Sequence, residues 1–317
     1  MVINLKIRLG YACLTKALDI TSSSTITYTN YINKNYDDNK LIEITNNNLD
    51  ALKEILIYNV KNNIHFYRIT SKLVPLATHE KISFNYIKLL KEKFNELKKI
   101  INKYDIRVDV HTDEYAVLNS MNKSTVNNTI EILKYHYNIL KALGIKNKII
   151  ILHIGSSAGG KKSSITRFIN NFNKLPLNIR KSIAVENDDK TFNIKDTLYI
   201  CKKLGIPMIL DYHHYICNNE NERLEDYIQD IVSTWDNITP KFHFSSPKSK
   251  LKKEFRSHHE YINSNDFIHF LNILKHTNND CDIMLEAKAK DDALSRLIRE
   301  LKYKTNYTFI DESSFII

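Results

Sequence analysis

IIILHIG (149–155) is a short apolar run that ends in a histidine and turns on a glycine. A parallel strand buried on both faces reads this way, with only its last side chain reaching the rim of the sheet. Outward from it, RVDVHTDEY (107–115) precedes and SIAVEN (182–187) follows in the same style. KIRLGY (6–11), HFYRIT (65–70), MILDYHH (208–214), KFHFSS (241–246) and DIMLEAK (282–288) complete a set of eight. Six of the eight deliver a His, Asp or Glu at the end: His111, His153, Glu186, Asp211 with His214, His243, and Glu286.

Between the runs lie stretches of helical period, among them LDALKEILIYNV (49–60), FNYIKLLKEKFNELKKIINKY (84–104), TVNNTIEILKYHYNILKAL (125–143) and DTLYICKKLG (196–205). Each carries an apolar stripe opposite Lys, Glu and Asn. Strand and helix alternating eight times predict an α/β fold, a (β/α)8 TIM barrel, as a single domain over residues 1–317. In such a barrel all strand C-termini converge on one face, where active sites are built. Any one run would suit another doubly wound sheet; the count of eight and the polar residue at nearly every end favour closure.

The 317 residues suit one barrel with extended loops, and no Pro, Gly or Ser-rich linker divides them. Cys13, Cys201, Cys217 and Cys281 form no CxxC pair, so neither a zinc ribbon nor a disulfide framework is indicated. No apolar stretch reaches membrane-spanning length and the N-terminus lacks a signal-peptide core, so a cytoplasmic monomer without a membrane partner is expected.

A net charge of +10 is modest evidence alone. Its placement says more. GGKKSS carries Lys161 and Lys162 after the fourth run, and SSPKSKLKKEFRSHH carries Lys248, Lys250, Lys252, Lys253 and Arg256 after the seventh. Both loops leave the rim that holds the ligand-type residues, and a cationic surface there would attract a polyanion, DNA or RNA. A lysine run is as often a solvated surface. GSSAGGK (155–161) imitates a P-loop, but Lys162 stands where its Ser or Thr should be, so no nucleotide cofactor is expected.

One histidine at a strand end is more often structural than a ligand; the aggregate is specific. Mixed imidazole and carboxylate ligands suit Mn2+, Zn2+ or Fe2+ better than Mg2+. The set exceeds the needs of one ion and predicts two or three. Clustered ions about 4 Å apart stabilise both the attacking and leaving oxygens of a phosphodiester.

RLGYAC (8–13), FYRITSKLVPLATH (66–79), RVDVHTDEYAVLNS (107–120), LDYHH (210–214), KFHFSSPKS (241–249), RSHHEYI (256–262) and IMLEAKAKDDAL (283–294) closely resemble the UV-damage endonucleases, the UvsE or UVDE family. The resemblance spans about residues 5 to 300. It implies a TIM barrel akin to endonuclease IV that nicks DNA 5′ to pyrimidine dimers, 6-4 photoproducts and abasic sites with divalent metals, commonly manganese. By motif, it assigns metal ligation to His111, His153, Glu186, Asp211, His214, His243, His258 and Glu286, with His259 a bystander. Glu186 and Glu286 would bridge or orient metals, and Lys241 matches a lysine carboxylated in the family. His79 would lie near the site without ligating.

The family's lesion probe is a Gln-Tyr pair after the third-strand histidine. Here the place reads Glu114-Tyr115, which keeps the stacking aromatic but puts a carboxylate beside phosphates. Tyr11 is a second expected lesion contact. The expected reaction is displacement of the lesion from the stack, then metal-assisted in-line hydrolysis that leaves 3′-OH and 5′-phosphate ends. Two other classes compete. A metal-dependent sugar isomerase or epimerase barrel would use similar ligands but gives no reason for a lysine-rich rim. A non-catalytic damage-binding barrel would tolerate missing ligands, and none of the eight is missing.

Overall fold

The structure is a computed structural model that describes residues 4–317. Eight parallel strands close a barrel: β1 (Lys6–Ala12), β2 (Phe66–Ile69), β3 (Arg107–His111), β4 (Ile150–His153), β5 (Ile183–Glu186), β6 (Met208–Asp211), β7 (Lys241–Phe244) and β8 (Cys281–Leu285). Each pairs with its neighbour in chain order, and β1 pairs with both β8 and β2 to shut the ring. The expected TIM barrel is the fold observed.

Helices cover the outside, as their amphipathic stripes require. Asp38–Lys61, Lys91–Lys103, Lys123–Ala142, Lys161–Asn173, Ile194–Leu204, Ser264–Leu274 and Lys290–Lys304 lie between or after the strands. The stretch read as one helix over 84–104 is broken, with Tyr86–Leu89 separated from Lys91–Lys103 at Leu90. A feature without a strong period in sequence is the C-terminal hairpin, β9 (Thr308–Phe309) and β10 (Ser314–Ile316). It lies antiparallel along the first half of β1 and pairs Ile7 with Phe315, while the second half of β1 pairs with β2. The hairpin thereby supplies hydrogen-bond partners where β2 has not yet begun. Gly10 sits at the changeover. A Cβ there would strike the carbonyl oxygen of Phe66, so two backbones close the seam only around a glycine.

Strand parity sorts the side chains. Ile7, Leu9 and Tyr11 of β1 join the large apolar cluster between barrel and helices, whereas Ala12 packs inside with Phe66 and Met284. The interior is two-sided. Around β4 to β6 it is filled by Ile149, Ile151, Ala184, Ile209 and Trp235. Around β1 to β3 and β7 to β8 it holds buried charges: Asp282 accepts from Arg8 at 2.6 Å and from Arg107 at 2.7 Å, and Lys241 pairs with Asp109. Each charge in this lower column faces an opposite one, as burial demands.

Candidate metal centre

At the C-terminal rim, parallel register sets ligand-type residues of adjacent strands side by side: His153 opposite Glu186, and Asp211 opposite His243. Glu286 follows β8 directly and its N–H donates to the Phe244 carbonyl at 2.9 Å. The candidate ligand atoms fall into three overlapping groups, each within 4.8 Å: His111, His153 and Glu186; Glu186, Asp211 and His214; and Asp211, His243 and Glu286. Glu186 and Asp211 each belong to two groups, so each can bridge.

Local structure aims these side chains. MILDYHH is not one strand: β6 stops at Asp211, which caps the short helix Tyr212–Cys217 by accepting from the His214 N–H at 2.8 Å through Oδ1. The other oxygen, Oδ2, is buried without a hydrogen-bond partner, as is His153 Nδ1. A buried acceptor left bare costs free energy unless something fills it, and a cation suits a carboxylate oxygen. Asn187 clamps the Asp211 backbone from both sides, with its Oδ1 accepting at 2.9 Å and its Nδ2 donating at 3.1 Å.

Three histidines are fixed alike. Nδ1 of His111 faces the Thr112 carbonyl at 2.7 Å, Nδ1 of His214 that of Asn187 at 3.0 Å, and Nδ1 of His258 that of Glu286 at 2.8 Å. A proton held on Nδ1 this way makes Nε2 the ligand nitrogen, the usual outer-shell arrangement of ligating imidazoles; in His111 that nitrogen meets Glu186 Oε2 at 2.8 Å. His258 therefore borders the site at Glu286 although it lies outside the three compact groups. His259 is exposed, with its Nδ1 accepting from the Tyr261 N–H.

The electrostatics match a cation site. Burial opposes charge on Glu186, yet His243 and His153, with hydrogen bonds from His111 and His214, hold its carboxyl well below the usual range. Glu286 is likewise held low against burial by Arg68 and His243. Burial would lower His214, but Asp211 and Glu186 outweigh it and push the imidazole up to about 11.

Lys241 is fully buried two residues before His243, with its Nζ on Asp109, outside the ligand groups. Burial pulls its ammonium down to about 7. Tyr11 corrects an expectation. It is 0% exposed on the helix side of β1, packed edge-on to Tyr67 with its hydroxyl on Asn59, so the structure does not present it at the rim. The parity of β1 decides this, since Gly10 and Ala12 take the inward positions. Tyr115 is 76% exposed beside exposed Glu114, on a turn held by the Asp113 carboxylate accepting from Ser71 at 2.8 Å.

Lys250, Lys252 and Lys253 are exposed and have no ion-pair partner among the described residues. Their loop is pinned by the buried His213, whose ring bridges Ser245 and the Phe255 carbonyl. Lys162 is exposed, but Lys161 is half-buried and paired with Asp196 at 2.5 Å. The P-loop lookalike is closed on itself: Ser156 N–H donates to Asn119, Ala158 N–H to Ser156 Oγ, and Gly160 N–H to Ser157 O. Residues that sequence reasoning missed are Arg68, Asp109 and Asn187. Of these, only the "EN" after β5 stood beside a recognised ligand.

A cavity of about 390 Å3 opens over the centre, lined by Arg68, His111, His153, His214, Glu286 and, at its edge, Glu114. A larger hollow of about 650 Å3 lies around the opposite ends of the strands, at Arg8 and Arg107, and contains none of the ligand groups. The chemistry identifies the smaller one as the site.

Fold and site define a TIM barrel with a histidine and carboxylate centre at its C-terminal rim. The family model for "UV-endonuclease UvdE" matches residues 7–314, and the chain belongs to that family. It is 40% identical over 301 residues to a UV DNA damage endonuclease of Bacillus mycoides (strain KBAB4), covering 93% of this chain and 94% of the relative. The crystal structure of SacUVDE superposes with a TM-score of 0.85 at 35% identity, covering 94% of this chain and 98% of that one. Endonuclease IV from Thermus thermophilus (TM-score 0.60, 94% of this chain, 100% of that one) and 3-keto-D-glucoside 4-epimerase from E. coli (0.53, 92% and 98%) are each 12% identical. These last two share the fold alone, so the epimerase reading has no more than a distant architectural relation behind it.

Proposed function

We propose that this UV-damage endonuclease hydrolyses the phosphodiester 5′ to pyrimidine dimers and 6-4 photoproducts, and abasic sites among further substrates, by divalent metal catalysis. The observation that carries the metal reading is the bare Asp211 Oδ2 inside a three-group cluster of shared ligands. The residues fit such ions, with Mn2+ favoured by their mixed nitrogen and oxygen donors and two or three ions by their number. When bound, the ions would activate water and neutralise charge developing on the phosphate.

The chain's own residues do the rest. Glu186 and Asp211, each common to two groups, fix the spacing between neighbouring positions. His111, His214 and His258 hold their orientation through backbone carbonyls. Tyr115 is presented to stack in the gap a displaced lesion leaves, with Glu114 at the cavity edge tuning which lesion enters. Lys162, Lys250, Lys252 and Lys253 contact phosphates without reading sequence; Lys161 contributes more weakly because Asp196 already pairs it. Carboxylation of Lys241 would set a second anion beside Asp109 and convert a charge partner into a ligand; its amine, with a pKa near 7, is partly neutral and so able to take up CO2. Intact-mass measurement under native conditions detects that adduct. The protein is proposed to act as a monomer.

The decisive experiment incubates UV-irradiated and untreated supercoiled plasmid with protein and Mn2+, with and without EDTA, and scores nicks. Nicking confined to irradiated plasmid and abolished by EDTA is expected. Equal nicking of both plasmids, or none in either, overturns the proposal.

A further inference from the structure

We infer that Arg68 is a built-in competitor for one metal position, its guanidinium occupying in the metal-free protein the atoms of Glu286 and His243 that a cation at the Asp211, His243 and Glu286 group needs. The inference rests on the metal-dependent reading above. Arg68 is 5% exposed. Its Nη1 donates to Glu286 Oε1 at 2.5 Å and its Nη2 meets His243 Nε2 at 2.5 Å.

Guanidinium nitrogens only donate. His243 Nε2 must therefore offer its lone pair to Arg68, and the ring proton sits on Nδ1, which donates to Glu186 Oε1 at 2.9 Å. Neither nitrogen of His243 is left with a lone pair for a metal. His214 and His258 are the opposite case, with Nδ1 tied to a backbone carbonyl, and His111 Nε2 faces only a member of its own group, Glu186 Oε2 at 2.8 Å. Two of the three ligand groups are thus clear of Arg68 and the third is blocked twice over, at His243 and at Glu286.

The structure also contains the place to which the guanidinium can withdraw. Asp109 Oδ1 lies 3.5 Å from Arg68 Nε, and both atoms are buried without a hydrogen-bond partner. An ion entering the blocked group pushes Arg68 toward Asp109, where the two unused atoms satisfy one another. Filling this last position consequently costs an ion exchange that the other two do not, and the centre loads in steps of unequal strength.

The test is calorimetric titration of MnCl2 into EDTA-stripped wild type, R68Q and R68K, with thermal melts of each metal-free protein. R68Q should tighten the weakest Mn2+ step by about ten-fold, within the range typical of coupled sites, and leave the tighter steps unchanged. Its metal-free melting temperature should fall, because Glu286 loses its counter-charge. R68K, a cation without the fork, should fall between the two. A weakest step that is unchanged or weaker in R68Q, or all steps shifting together, overturns the role of Arg68 while leaving the metal reading intact. Absence of Mn2+ binding in wild type and both variants overturns the metal reading itself. Should R68Q not fold, R68K against wild type decides: a weakest step no tighter than wild type's overturns the inference.

Discussion

The lower and upper halves of the barrel's charged side are built from the same strands and the same inward positions, yet they do opposite things with charge. Below, Asp282 is saturated by Arg8 and Arg107, and Lys241 pairs with Asp109, whose Oδ1 lacks a hydrogen bond but faces the cationic Arg68 at 3.5 Å. Above, Glu186, Asp211 and the histidines share contacts, and one carboxylate oxygen and one ring nitrogen are left bare. Ion pairs closed on each other contribute shape and register; a set that stays open is fit to take up a cation. Arg68 stands at the boundary, joined to Glu286 and His243 above and Asp109 below.

The sharpest way to break the contrast is to alter one carboxylate in each half. Glu186→Gln, which keeps shape and removes charge, should lower the nicking rate by more than the roughly 100-fold expected of an outer-shell partner, with the circular dichroism spectrum unchanged; Glu286→Gln should behave alike. Nicking near the wild-type rate by either folded variant would remove that residue from the site. Asp282→Asn should do the reverse. It strands Arg8 and Arg107, so urea unfolding should show a loss of about 3–5 kcal/mol, while Mn2+ affinity of the surviving folded protein stays at the wild-type value. A stable Asp282→Asn protein with weakened metal binding would show that the halves are not separable.

Smaller effects belong to the rim. Tyr115→Ala should weaken binding to a dimer-containing duplex by about ten-fold, from a stacking contribution of about 1–3 kcal/mol, and leave binding to intact duplex unchanged in a fluorescence titration. Glu114→Gln in the same assay should improve or broaden lesion binding. Equal discrimination by Tyr115→Ala and wild type would move the probing role to another side chain. Replacing Lys250, Lys252 and Lys253 with Ala should reduce the slope of log affinity against log salt by roughly 2–3, for damaged and undamaged DNA alike. An unchanged slope would make the run a solvated surface only.

Much of the fold and of the ligand set was legible beforehand, because a buried parallel strand and an amphipathic helix leave different periods and a strand's last residue marks the rim. The seven candidates at the ends of the apolar runs, His111, His153, Glu186, Asp211, His214, His243 and Glu286, needed no more than that; His258, the eighth candidate, came from the RSHHEYI motif. Tyr11 was misread, since its run resembles the others and only parity at Gly10 turns the tyrosine toward the helices. The C-terminal hairpin was too short to show a period.

By itself, then, the sequence determined the barrel, the candidate ligands and the lysine-rich loops, all of which depend on residue type and local spacing. Tertiary structure alone decided who pairs with whom. Arg68 meets His243 across 175 residues and Glu286 across 218, and Lys241 meets Asp109 across 132. Such partners are chosen by strand register and barrel closure, which bring inward positions of distant strands to hydrogen-bond distance and leave no trace in the spacing of the chain.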